Sequence, residues 1–92
     1  MKPTLTQLAY AVKVIGFVTG ATEATYLFEG RIAVALPAGW SLVISPDDAG
    51  RFRLDACRSG RVRATMWCRA DDLVRLAELA GSAQAEAAAL VA

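Results

Sequence analysis

Histidine is absent from this chain of 92 residues, and lysine (Lys2, Lys13), cysteine (Cys57, Cys68) and proline are scarce. Without histidine, the commonest general base and metal ligand is missing. Two cysteines are too few for a disulfide framework, and alone they fall short of the four ligands of a structural zinc site. Long apolar runs are lacking too. The stretch from Leu5 to Val18 is broken by Lys13 and is shorter than the roughly 20 residues that a membrane-spanning helix needs. With one early lysine and no small-x-small site, the N-terminus makes a poor signal peptide. The expectation is a reducing, cytoplasmic setting with no membrane association.

The chemistry-bearing residues that remain have local explanations. Asp47-Asp48 falls between two apolar runs, where aspartate favours turns. Asp71-Asp72 precedes a helical pattern, where aspartate caps. The glycines at 16, 20, 30, 39, 50, 60 and 81 are dispersed over turns and helix ends and form no phosphate loop. Cys57 stands near Arg58 and Arg61, a setting that would lower a thiol pKa, yet no base or second thiol accompanies it. The chain is therefore expected to be no enzyme, with no cofactor and no metal site.

Apolar residues make up 55% of the sequence, more than a domain this small easily hides, so self-association is expected. From 32 to 68 the large apolar side chains sit at even positions: Ile32, Val34, Leu36, Trp40, Leu42, Ile44, Phe52, Leu54, Val62 and Met66. Only Val43 and Trp67 break the rule. Period-2 alternation marks half-buried strands, and its persistence through three turns restricts how they pair.

Leu36 and Trp40 closing the loop Pro37-Ala38-Gly39 would set Val34 opposite Leu42 and Ile32 opposite Ile44. Ser45 and Arg51 around 46–50 would set Ile44 opposite Phe52 and Leu42 opposite Leu54. At the third turn, the two-residue loop Ser59-Gly60 mixes polar and apolar residues on both faces. A three-residue loop pairs Phe52 with Met66, Leu54 with Ala64 and Ala56 with Val62, and is the reading the parity favours. On the outer face it puts Arg51 beside Trp67 as a cation–π pair and Asp55 beside Arg63 as an ion pair. Cys57 then faces out and Cys68 in, so no disulfide joins them.

Helical spacing recurs at both ends. Leu5, Leu8, Val12 and Ile15 form one stripe after a Thr4 or Thr6 cap, with a strand as the competing reading of 10–19. Leu73, Leu76, Ala77 and Ala80 form another after Asp71, with Gly81 as the stop and 82–92 continuing or fraying. Four strands span about 19 Å and one helix covers about 10 Å, so both helices are needed on the even face. The expected fold is α+β: a single domain over 1–92, two layers in the order α-β-β-β-β-α, with a four-stranded antiparallel meander. A second helical stripe, Tyr10, Val14 and Phe17, is left over. Either the segment 25–28 folds against it or it forms a homodimer interface.

What is abundant is arginine in one place. Arg51, Arg53, Arg58, Arg61, Arg63 and Arg69 are opposed only by Asp55, so 51–69 carries +5 in a chain of net charge +1. The odd face offers Arg31, Arg51, Arg53, Arg61, Arg63 and Trp67, with Arg69 at the rim. Arginine and tryptophan dominate protein–protein hot spots and also serve single-stranded nucleic-acid binding. A four-stranded meander followed by a helix is similar in topology to the repeat of the whirly and PUR-type single-strand binders, a likeness that transfers no residue. One aromatic on the face and little lysine favour a protein partner with an acidic surface, met through a regulator, adaptor or inhibitor. Single-stranded nucleic acid is the second reading and a small-molecule or structural role the third. Arg53→Glu with Arg63→Glu is expected to abolish partner binding with the fold intact.

Overall fold

The computed structural model describes residues 1–21 and 23–89. Helix α1 (Leu5–Thr19) leads into strands β1 (Ala24–Tyr26), β2 (Ile32–Ala35), β3 (Trp40–Asp47), β4 (Arg51–Arg58) and β5 (Arg61–Arg69), and helix α2 (Leu73–Ala89) follows. The fold is α+β, with the helices layered on one face of an antiparallel sheet. Among the described residues that sheet has five strands in sequential order, not four. The segment expected to fold against α1 instead pairs in the plane of the sheet, with Thr25 opposite Ala33 and Tyr26 opposite Ile32.

The even residues do face the helices. Ile32, Val34, Leu36, Leu42, Ile44, Phe52, Leu54 and Ala56 are buried with Leu8, Ala11 and Ile15 of α1 and Leu76, Leu79, Ala80, Ala83 and Ala87 of α2. The β2–β3 register is the expected one. The β3–β4 register differs by two residues: Asp47 meets Arg51, Ile44 meets Leu54 and Leu42 meets Ala56. A two-residue shift leaves the faces unchanged, which is why alternation alone did not distinguish the two registers. Strand β3 runs on through Pro46, and the tight loop Asp48-Ala49-Gly50 is closed by Gly50 N–H donating to the Asp47 carbonyl at 3.2 Å. Asp47 Oδ2 also accepts from Ala49 N–H at 3.2 Å, the turn chemistry expected of aspartate.

The third turn reconciles two demands the sequence sets against each other. Arg58 pairs with Arg61 across Ser59-Gly60, the two-residue loop that parity disfavoured. Both loop residues have positive φ, 53° and 79°, as a type I′ hairpin requires. A register irregularity between Ala56 and Cys57 then absorbs one residue of β5. Beyond it Ala56 meets Ala64, Leu54 meets Met66 and Phe52 meets Cys68, all even with even. Val62, expected inward, pairs with Cys57 and is 58% exposed.

Helix α1 is a helix, not a strand, and Thr4 caps it: Thr4 Oγ1 accepts from Gln7 N–H at 3.1 Å, and Gln7 Oε1 accepts from Thr4 N–H at 2.9 Å. Leu5 lies outside the buried stripe, and Ala11 takes a place in it. In α2 the cap is Asp72 rather than Asp71, with Oδ1 accepting from Arg75 N–H at 3.0 Å. Gly81 does not stop the helix. It sits where α2 crosses α1, and a Cβ there would lie 3.4 Å from Val18 Cγ1. The helix continues to Ala89, and residues 90–92 of the expected tail lie outside the described residues.

Candidate functional site

No helix covers the odd face of the sheet among the described residues. Its side chains run in rows across the strands. The central row is Ser45, Arg53 and Trp67, paired strand to strand. One step beyond the Ile32–Ile44 pair, Arg31 extends that row at the β2 side. The next row toward the β3–β4 turn is Asp47, Arg51 and Arg69, and on the other side lie Val43, Asp55 and Thr65.

The face is internally paired. Asp47 Oδ2 accepts from Arg51 Nε at 2.8 Å, and the Arg51 guanidinium holds its carboxyl below the ordinary 3.8. Arg51 also lies over the Trp67 ring, 4.1 Å from its centroid, the expected cation–π contact. Because Arg69 rather than Trp67 faces Arg51 in the ladder, that contact is made diagonally. Arg69 reaches Asp71 at 2.9 Å on the exposed rim.

Asp55 does not pair with Arg63. It is 5% exposed, accepting from Arg53 Nε at 3.0 Å and from Thr65 Oγ1 at 2.8 Å. A carboxylate so buried depends on those donors. Arg53→Glu would replace its charged donor with a second carboxylate, so this geometry predicts that the change destabilises the fold, against the expectation from sequence.

The other expected residues divide. Arg63 lies in β5 where the register shifts, exposed and without an ion pair among the described residues. Arg31 donates through Nε to the Phe28 carbonyl at 3.2 Å, leaving its terminal nitrogens free of that bond. Arg61 leaves the face: its partner Arg58 is an even residue, 5.9 Å from the Trp40 ring. Cys57 is half-buried, and burial with the nearby Asp55 charge pushes its thiol up, opposite to the expected lowering. Cys68 is buried, and burial raises it as well. Among the described residues, no three His, Cys, Asp or Glu side chains gather as a metal site, and no helix is long and apolar enough to cross a membrane.

Within the central row the sheet is hollowed. Lys2, Glu29, Arg31, Ser45, Pro46, Asp47, Arg53 and Trp67 line a cleft of about 210 Å³. Lys2 reaches it because the segment before α1 runs to the β3–β4 turn, where the Met1 nitrogen donates to the Asp48 carbonyl. Neither Ser45 nor Lys2 was singled out from sequence. The signal for Ser45 was its odd position in β3, beside the arginine-bearing strand β4.

The helical side carries a second surface. Tyr10, Val14, Phe17 and Val18 of α1 and Leu73, Val74 and Ala77 of α2 line an apolar groove of about 680 Å³, with Lys13 and Glu78 also along it. Phe17 is 91% exposed. The stripe Tyr10, Val14 and Phe17 thus joins the outer residues of α2 rather than packing on β1. Comparison with protein-family models, curated proteins and solved structures gives no match to this chain.

Proposed function

We propose that the protein is a non-enzymatic binding module, a regulator, adaptor or inhibitor, that engages an acidic surface of a protein partner through the outer face of its sheet. The observation that carries this reading is the ordering of that face. Arg51, Arg53 and Arg69 are held by Asp47, Asp55 and Asp71, so a partner meets guanidinium groups already positioned. Arg31, Arg63 and Trp67 complete the contact set, and the free edge of β5 adds unpaired backbone groups. The cation–π contact speaks against the nucleic-acid alternative: one face of Trp67 is already stacked by Arg51, so it makes a poor platform for bases. The reading places the protein in a reducing, cytoplasmic setting, where both thiols stay free.

It also includes a homodimer through the helical groove. A two-fold axis across α1 and α2 would cover Tyr10, Val14, Phe17, Leu73 and Val74 and set Lys13 of one copy near Glu78 of the other. Sedimentation velocity tests this part: a dimer that Phe17→Glu converts to a folded monomer supports it, and a wild-type monomer contradicts it.

The face itself is tested by anisotropy, with a labelled Asp/Glu-rich peptide and a labelled single-stranded oligonucleotide at low and moderate salt. The peptide should bind, and Arg63→Glu with Arg69→Glu should abolish the signal while circular dichroism stays native. Tighter oligonucleotide binding, with log affinity falling by about 0.7 per phosphate contact against log salt and weakened by Trp67→Ala, would establish the alternative.

A further inference from the structure

We infer that the cleft around Ser45 on the outer face is a receptor for a carboxylate group. Ser45 is the least expected residue in it. The residue is 8% exposed, and among the described residues its Oγ has no hydrogen-bond partner. A buried hydroxyl left unsatisfied is costly unless something completes it. Odd parity turns it to the outer face, where it lines the cleft with Arg31, one residue before β2, and Arg53 of β4. Those two arginines are each tethered through Nε, Arg31 to the Phe28 carbonyl and Arg53 to Asp55, so their terminal nitrogens remain for a ligand. An anion seated there accepts from Ser45 Oγ–H and from both guanidinium groups, the arrangement guanidinium donors fit best.

Charge selects the class of anion. Lys2, Arg31 and Arg53 against Glu29 and Asp47 leave one surplus positive charge in the lining. A carboxylate neutralises that surplus. A phosphate dianion overshoots it and meets Glu29 and Asp47 at close range. Pro46 and the Trp67 ring supply apolar wall for the carbon that bears the carboxylate. The carboxylate can come from a free small acid or from an acidic side chain or C-terminus of a protein partner. In the second case the inference rests on the reading of the outer face as a partner surface.

The test is a ¹⁵N–¹H NMR titration at constant ionic strength with sodium acetate, inorganic phosphate and chloride as separate arms. Acetate should shift the Ser45 and Arg53 amides and the Arg31 and Arg53 Nε–H signals saturably, with phosphate and chloride much weaker. Ser45→Ala should weaken acetate about tenfold, the scale of one hydrogen bond to a charged group, and Arg75→Ala should match wild type. Shifts that do not saturate, shifts equal in all three arms, or an unchanged affinity in Ser45→Ala would each overturn the inference. The source is read from an Asp-containing peptide: binding sensitive to Ser45→Ala identifies a protein carboxylate. Acetate binding with no peptide binding leaves the cleft as a small-acid site and defeats the partner reading alone. Peptide binding that Ser45→Ala leaves unchanged keeps the partner reading and defeats the cleft as its anchor.

Discussion

Replacing Gly81 by alanine tests the helix layer with a sign rather than a size. In the structure Gly81 is an interior residue of α2, and a Cβ added to it meets only Val18 Cγ1, at 3.4 Å. That distance is an ordinary contact, so the methyl fits without displacing α1. The substitution then removes the helix penalty of glycine, about 0.8–1.0 kcal/mol relative to alanine. Some of this is offset by the slight crowding of Val18, leaving a stabilisation of about 0.5–1 kcal/mol. For a domain of this size that raises Tm by about 2–8 °C, readable by circular dichroism at 222 nm. Had Gly81 been the left-handed stop its sequence position suggests, alanine would cost about 1–2 kcal/mol there. A lower Tm for Gly81→Ala would therefore refute the continuous helix and the close crossing with α1. Gly81→Leu, which cannot fit against Val18, should destabilise in either case and serves as the control.

Leu54 is fully buried at the centre of the sheet, and Leu54→Asp should leave no cooperative thermal transition, because it buries a charge without a partner; a native spectrum would contradict the inward parity of β4. Ala38 occupies the left-handed region at φ 59°, so Ala38→Gly should raise the midpoint of urea unfolding by the equivalent of about 0.5–1 kcal/mol, and a fall would mean the β2–β3 loop is shaped differently. Both thiols are raised by burial, so Cys57 should react with Ellman's reagent more slowly than free cysteine near pH 8, and Cys68 more slowly still. Because the folded-state values lie above the unfolded ones, the stability they contribute is complete below the ordinary thiol range and is lost as pH rises through the raised values; an increase in stability above pH 9 would reverse that assignment.

Much of the sheet was legible because alternation is a strict constraint. It assigned Ile32, Val34, Leu42, Ile44, Phe52 and Leu54 to the core, and the β2–β3 register followed from Gly39. It could not separate registers that differ by two, so the expected pairing of Ile44 with Phe52 gave way to Ile44 with Leu54. It misjudged Ser59-Gly60 because a bulge lets an odd turn and an even ladder coexist, and bulges leave little trace in sequence. The short edge strand Ala24–Tyr26 has too few residues for a pattern of its own. For the site, the residue types on the outer face were readable, but their partners were not. Asp55 bonding Thr65, Arg61 pairing with Arg58 and Ser45 lining a cleft all follow from the register, which had to be seen, while the Arg53–Asp55 pair lies within one strand.

The most direct measurement of the central claim is to map an acidic peptide onto the protein by amide chemical-shift perturbation. The largest shifts should fall on the odd positions of β3 to β5, at Ser45, Arg53, Thr65 and Trp67, with the residues of the helical groove unmoved. Shifts concentrated at Tyr10, Phe17, Leu73 and Val74, or no saturable shift at all, would contradict the assignment of the sheet's outer face as the binding surface.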